Sequence, residues 1–209
     1  MNVNIALLTV TDTRTFDNDK SGAILVEKIK EANHNLIDRK ICKDNKEDIV
    51  LILKEWINKK DIDVVITTGG TGLTGRDITP EAIEEIADKQ IPGFGEVFRT
   101  ISLKTVGTSA IQSRACAVLA NGKYVFALPG NPVSSFMCTQ IHFIPWLKRS
   151  LQLPEPIYPT AILQRDTTFK PDLVYYLQVN ISYNEKGQIL AMPIDGNGSG
   201  DLANLVDAD

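Results

Sequence analysis

Residues 63–82 read Asp-Val-Val-Ile-Thr-Thr-Gly-Gly-Thr-Gly-Leu-Thr-Gly-Arg-Asp-Ile-Thr-Pro-Glu-Ala, and they constrain the fold more than any other stretch. Asp63 to Thr67 is a short β-branched run, as in a parallel strand covered on both faces. Gly69, Gly70 and Gly72 follow. They permit backbone angles that other residues resist, and without Cβ atoms they let a ligand approach main-chain N–H groups. Thr79-Pro80 has the form of an N-cap followed by proline at the first helical position, with Glu81 in the first turn. A glycine-rich turn between a buried strand and a helix is where α/β sheets bind ligands. The alternative is a tight connection with no ligand. A Walker-type phosphate loop is excluded, because no G-x-x-x-x-G-K-[ST] is present.

The rest of the chain repeats the unit. Asn4 to Val10 is a continuous apolar strand. Leu25, Ile29, Ala32 and Leu36 mark one face of a helix after Ser21, although Leu36 to Ile41 also reads as a strand. Ile49, Ile52, Leu53, Trp56 and Ile57 give an amphipathic helix starting at Asp44 or Asn45. Punctuation at Gln90 to Gly95 breaks the pattern before a short helix over Glu96 to Leu103. Lys123 to Leu128 is another apolar strand, running into Pro129-Gly130-Asn131-Pro132 and a helix from about Val133 to Arg149. The βαβαβα order argues for an α/β domain over 1–150 with a doubly wound, mainly parallel sheet. Prolines crowd a linker at 151–158. Beyond it, 159–209 reads as a small antiparallel β segment, with Leu173 to Ile181 and Ile189 to Ile194 as strands and Asn184 to Gly187 as a hairpin loop. Fifty residues make a poor core alone.

Composition excludes several classes. No run of about 18 apolar residues exists, so no membrane span is expected. Met1-Asn2-Val3-Asn4 opens no signal peptide, so a cytoplasmic location is expected. The net charge of −4 divides unevenly: 151–209 carry 3 Lys/Arg against 8 Asp/Glu (−5), and 1–150 carry 19 against 18 (+1). No basic stripe points to nucleic acid. Cys42, Cys116 and Cys138 form no C-x-x-C and read as reduced structural thiols. His34 and His142 are isolated on helical segments and read as structural, and Trp56 and Trp146 as packing residues.

Thr68-Gly69-Gly70-Thr71-Gly72 and Arg76-Asp77-Ile78-Thr79-Pro80-Glu81-Ala82 are followed in order by Pro92-Gly93-Phe94-Gly95-Glu96, Thr108-Ser109 and Ser113-Arg114. Over residues 3–148 this set resembles the molybdopterin adenylyltransferases of molybdenum cofactor biosynthesis, the MoaB/Mog family. The resemblance implies the molybdopterin-binding fold and transfer of AMP from Mg-ATP to the phosphate of molybdopterin, with release of pyrophosphate. Mg²⁺ is the implied cofactor, and ATP and molybdopterin are the substrates. A homo-oligomer, trimer or hexamer, is implied, as is contact with other cofactor-biosynthesis proteins. Gly198-Ser199-Gly200 and Leu202-Ala203-Asn204-Leu205 resemble part of the C-terminal β-domain of the molybdenum-inserting transferases, and that domain is expected to continue past Asp209. Two alternatives stay open: molybdenum insertion into adenylylated molybdopterin, and a non-catalytic binding or scaffold protein.

Residue by residue, Asp44 and Asp77 match the family's active-site aspartates and are expected to be catalytic and to hold the metal, since Mg²⁺ prefers hard oxygen ligands. Locally, Asp44 with Glu47 also resembles a helix capping pair, and Asp77 a turn aspartate bonding its own backbone. Gly69, Gly70, Thr71 and Gly72 are expected to supply main-chain and hydroxyl donors to phosphate. Pro129, Gly130, Asn131 and Ser134 match a loop near the nucleotide. Thr11, Asp12, Ser109 and Arg114 match substrate contacts. Asp12 alternatively caps a loop, and Arg114 alternatively forms a surface ion pair.

Overall fold

In a computed structural model of the chain, which describes residues 2–131, 139, 143–153, 159–168 and 177–194, the run Asn4–Val10 forms β1 of a six-stranded sheet. The other strands are β2 (Asn35–Cys42), β3 (Val64–Thr68), β4 (Lys89–Gln90), β5 (Cys116–Ala120) and β6 (Lys123–Leu128). Their order is β2-β1-β3-β6-β5-β4. The first four are parallel. β5 returns antiparallel to β6, and β4 antiparallel to β5. The helices are α1 (Lys20–Glu31), α2 (Lys46–Ile57), α3 (Thr79–Ile86), α4 (Pro92–Val106) and α5 (Ile144–Ser150), with a 3-10 helix at Gly107–Gln112.

Alternating residues of each strand feed two cores. Ala6, Leu8 and Val10 of β1, Val65 of β3 and Val125 of β6 pack with α2 and α3. Ile5, Leu7, Val64, Ile66, Phe126 and Leu128 face Leu25 and Ile29 of α1, Phe98 of α4, and Ile144 and Leu147 of α5. Both faces are covered, so these strands carry unbroken apolar runs instead of alternating with polar residues. Trp56 is fully buried in the first core and donates Nε1–H to Asp38 Oδ2 at 2.8 Å. Trp146 meets Tyr124 and Phe126 edge-on beside the second.

Several boundaries differ from the sequence reading. α1 stops at Glu31, because Asn33 adopts φ +59° and turns the chain. Leu36 therefore belongs to β2, and His34 lies in the turn rather than on a helix, buried, with Nδ1 accepting from Val3 N–H at 3.4 Å. α4 begins at Pro92, not Glu96. Proline suits the first helical position, where its missing N–H has no partner to lose. Thr79 is the first residue of α3 and Ile78 its cap, without a side-chain bond. α2 is capped by Asn45, whose Oδ1 accepts from Asp48 N–H at 2.9 Å. Asp44 is thus not the cap. Asn45→Ala should cost about 1 kcal/mol in urea unfolding. Cys138, His142 and most of the helix expected from Val133 lie outside the described residues.

The chain divides into units Met1–Leu153 and Pro154–Asp209. In the second, β8 (Val179–Tyr183) and β9 (Ile189–Pro193) form an antiparallel pair, and β7 (Ile162–Leu163) joins β9 in parallel. Asn184 Oδ1 accepts from the N–H groups of Lys186 (3.0 Å) and Gln188 (2.9 Å), which fixes the hairpin loop. Residues 154–158 of the expected linker, residues 169–176, and Gly198 to Leu205 lie outside the described residues. Among those described, no helix is long and apolar enough to cross a membrane.

Candidate active site

β2 and β3 flank β1 on opposite sides, so the connections leaving β1 and β3 diverge and a crevice opens beyond their carboxyl ends. A cleft of about 250 Å³ lies there. Its walls are the β1 exit from Thr9 to Arg14, the head of α1 with Asp19 and Ser21, and the β3 exit from Thr68 to Gly70. Asp44, Thr74, Arg76, Asp77 and Gly130 complete it.

The glycine turn is held in place. Gly69 has φ +100° and Gly70 φ +63°. Gly69 donates its N–H to the Leu128 carbonyl at 3.2 Å. Thr79 donates Oγ1–H to the Gly69 carbonyl at 2.9 Å and N–H to that of Gly70 at 3.0 Å, fastening the turn to α3. A Cβ on Gly70 would stand 3.0 Å from Asp44 Oδ1, so that carboxylate lies directly over the turn.

Three carboxylates meet here. Asp44 N–H donates to Asp12 Oδ1 at 3.2 Å, and Asp12 Oδ2 lies 3.8 Å from the Arg76 guanidinium. Asp77 Oδ2 accepts from Thr74 N–H (2.9 Å) and Thr74 Oγ1–H (2.6 Å). Burial raises the Asp44 pKa, and the negative charges of Asp12 and Asp77 push it the same way, with Arg76 in partial opposition. Burial also acts upward on Asp77, but hydrogen bonds from Thr74 and Gly72 and the Arg114 charge bring it below the ordinary carboxylate value. The two neighbouring aspartates are thus pushed in opposite directions, one by burial and like charge, the other by its hydrogen bonds.

In the cleft wall, the Asp19 side chain is fully buried and ion-paired to Arg39 at 2.9 Å. It accepts from Thr9 Oγ1–H at 2.6 Å and from Gly22 N–H at 2.9 Å, capping α1. Burial works to raise its pKa. The Thr9, Gly22 and Arg39 donors outweigh that, leaving the pKa below the ordinary value. Such a group stabilises the fold above its unfolded pKa, and the contribution fades as pH falls through the lower folded value. Asp19→Asn should therefore cost about 2 kcal/mol at pH 7. Denaturant midpoints compared at pH 7 and at a pH well below the ordinary carboxylate range should show the difference shrinking.

A sequence profile described as a probable molybdopterin binding domain matches residues 6–149. The chain belongs to that family. Molybdenum cofactor biosynthesis protein B of Bacillus cereus is 47% identical over 130 residues, 62% of this chain and 77% of its own length. The Escherichia coli K12 protein of the same name is 45% identical over 127 residues, 61% and 75% of the two chains. Among solved structures, the tungsten cofactor synthesizing protein MoaB of Pyrococcus furiosus aligns with TM-score 0.64 at 34% identity, covering 74% of this chain and 98% of that one. These relatives place the chain in molybdenum cofactor biosynthesis. Residues 160–209 match a second profile, the MoeA C-terminal region (domain IV).

In this molybdopterin-binding domain, the residues singled out from sequence divide into two groups. Thr11, Asp12, Asp44, Gly69, Gly70, Asp77 and Gly130 line one cleft. Thr71 is buried behind it, its carbonyl accepting from Arg114 N–H at 3.1 Å. Gly72, Pro129 and Asn131 are not among the lining residues. The Pro129 carbonyl accepts from Thr68 Oγ1–H at 3.0 Å. Ser109 is exposed on the 3-10 helix, and Arg114 lies outside the lining. Ser134 and Pro132 fall outside the described residues. Arg14, Asp19, Ser21, Thr74 and Arg76 line the cleft without having been singled out. Only Thr74 and Asp19 had a local signal, Thr-x-x-Asp and Asp-x-x-Gly respectively. Burial drives the Cys42 thiol up to about 12 and that of Cys116 up to about 11, so both are inert structural thiols.

Proposed function

We propose that this chain is a molybdopterin adenylyltransferase, moving AMP from Mg-ATP to the terminal phosphate of molybdopterin. The observation that carries the reading is the cleft in which Asp44 and Asp77 face a glycine turn at the topological switch point. Acceptors for a cation and main-chain donors for phosphate are side by side there, which is what a polyphosphate substrate with its metal requires.

The donor set fits Mg²⁺ carried by substrate better than a resident ion. No group of three or more His, Cys, Asp or Glu among the described residues is arranged to hold a metal alone. Mg²⁺ is commonly held by one or two carboxylates plus substrate phosphates and water. Asp44 and Asp77 are the residues to hold it, and Mg²⁺ bound there would offset the triphosphate charge. The Gly69 N–H is spent on Leu128 and the Gly72 N–H on the Asp77 carboxylate, so the phosphate donors of the turn are those of Gly70 and Thr71. Arg14 and Arg76 add positive charge at the same cleft. Thr11 and Asp12 complete the β1 side, and Ser109 and the loop Pro129-Gly130-Asn131 with Ser134 are the remaining contacts of this reading.

In the reaction, an oxygen of the molybdopterin phosphate bonds to the α-phosphorus while the bond from α-phosphorus to the bridging oxygen breaks. Pyrophosphate leaves with that electron pair. The attacking phosphate is already ionised, so no residue has to remove a proton. Alignment and charge stabilisation carry the rate.

A second reading is molybdenum insertion into adenylylated molybdopterin, favoured by the match of residues 160–209 to the MoeA C-terminal region. Pyrophosphate release separates the two. Purified chain with molybdopterin, ATP and Mg²⁺ should release one pyrophosphate per adenylylated product. Release absent with molybdopterin bound would reject the adenylyltransferase reading. Consumption of supplied adenylylated molybdopterin only when molybdate is added would favour insertion. Assembly as a homotrimer or hexamer belongs to the same proposal. The exposed Val97, Leu103 and Val106 of α4 offer apolar surface for it.

A further inference from the structure

The loop 72–78 carries Asp77 into the cleft, yet its own bonds are few. Asp77 N–H donates to the Thr74 carbonyl at 3.0 Å, and the Thr74 donors return to the Asp77 carboxylate. With the Gly72 bond to the same carboxylate they close a small ring within residues 72–77. They fix the side chain within the loop but do not fix the loop in the protein.

Beside the 3.8 Å ion pair of Arg76 with Asp12, Arg114 supplies that attachment. It stands between the 3-10 helix and β5, outside the cleft lining. Its Nε–H donates to the Gly72 carbonyl at 2.7 Å, and one terminal nitrogen to the Asp77 carbonyl at 2.6 Å. The other terminal nitrogen pairs with Glu81 Oε1 in the first turn of α3. Its backbone N–H holds the Thr71 carbonyl. One residue thus grips the loop at its entry, at Asp77 and at the helix beyond. A guanidinium suits this because its donors form a rigid planar fork that can meet three acceptors at once.

We infer that Arg114 is a positioning residue, whose guanidinium sets the place of Asp77 by clamping the loop backbone to Glu81 rather than by gripping a substrate phosphate. The catalytic half of this inference rests on the adenylyltransferase reading, while the clamp itself does not. Misplacing a metal-holding carboxylate lowers turnover more than it lowers affinity for the acceptor substrate.

Arg76 is a built-in reporter, because its side chain is 75% exposed in the middle of the loop and trypsin cleaves after it. In Arg114→Gln, cleavage after Arg76 should run at least about tenfold faster than in the parent, under conditions where the sheet stays folded. The kcat for pyrophosphate release should fall at least about tenfold, with KM for molybdopterin within about threefold. Glu81→Gln removes the charge partner but keeps an acceptor, and should show the same pattern at smaller size. It carries the test if Arg114→Gln does not fold. Unchanged cleavage after Arg76, or a tenfold rise in KM for molybdopterin with kcat kept, would overturn the clamp in favour of a phosphate grip. If the parent releases no pyrophosphate, the adenylyltransferase reading fails alone, and the cleavage rates still decide whether Arg114 clamps the loop.

Discussion

Asp44→Asn and Asp77→Asn should each reduce pyrophosphate release by about 100-fold or more while the protein stays folded. The substitution keeps size and one acceptor oxygen. At position 77 that oxygen can still accept from Thr74, so the loop survives while the anionic charge is lost. At position 44 the expected effect on stability is the opposite of the effect on activity. Asp44 is penalised by burial and by the charges of Asp12 and Asp77. A carboxylate whose folded pKa is raised costs stability as pH rises from its unfolded pKa to the folded one and keeps that full cost above it, so the neutral amide should relieve the penalty at pH 7. Thermal melting at pH 7 beside the pyrophosphate assay checks both signs. A variant that is inactive and at least as stable as its parent marks a group kept for chemistry. Full activity in either variant would remove that aspartate from the proposed reaction.

Gly69→Ala should destabilise the domain by about 3 kcal/mol or more, measured by urea unfolding. Two costs add. The backbone sits at φ +100°, outside what an L side chain adopts readily, and the added Cβ would overlap the Val10 carbonyl oxygen. That oxygen belongs to buried β1 and cannot retreat without breaking the sheet. Gly75→Ala is the control. It has no positive φ and nothing within 4 Å of the added Cβ, so it should be neutral or slightly stabilising. Equal effects at the two positions would contradict the account of the turn.

The elements legible in the sequence are those whose residues carry their own pattern. β1, β3 and β6 are apolar runs buried on both faces, and α2 shows its buried stripe of Ile49, Leu53 and Trp56 directly. β5 carries no legible pattern, because Cys-Ala-Val-Leu-Ala is five residues long and gives neither period clearly. β4 is two exposed residues, Lys89 and Gln90, and exists only because Val118 and Leu119 lie opposite. Pro92 and Gly93 carry the signal of a break, although proline opens α4. Within the site, Asp44 and Asp77 stood out through family resemblance, not through spacing, which allowed a cap or a turn for each. Arg14, Ser21 and Arg76 had no local signal. They reach the cleft because β1, α1 and the loop before α3 converge there.

The ends of the large sheet bear on how the protein behaves at high concentration. An open sheet edge is a template on which another chain can add a strand, and the hazard grows with the length and apolarity of the edge. Among the described residues, one edge here is β4, too short to template anything. The other, β2, carries Asp38, Arg39 and Lys40 along its middle, with Arg39 anchored to Asp19 and Lys40 to Glu55. A second copy pairing there would have to draw Arg39 and Lys40 away from these partners. This domain is therefore guarded at both edges against growth into ribbons and fibrils.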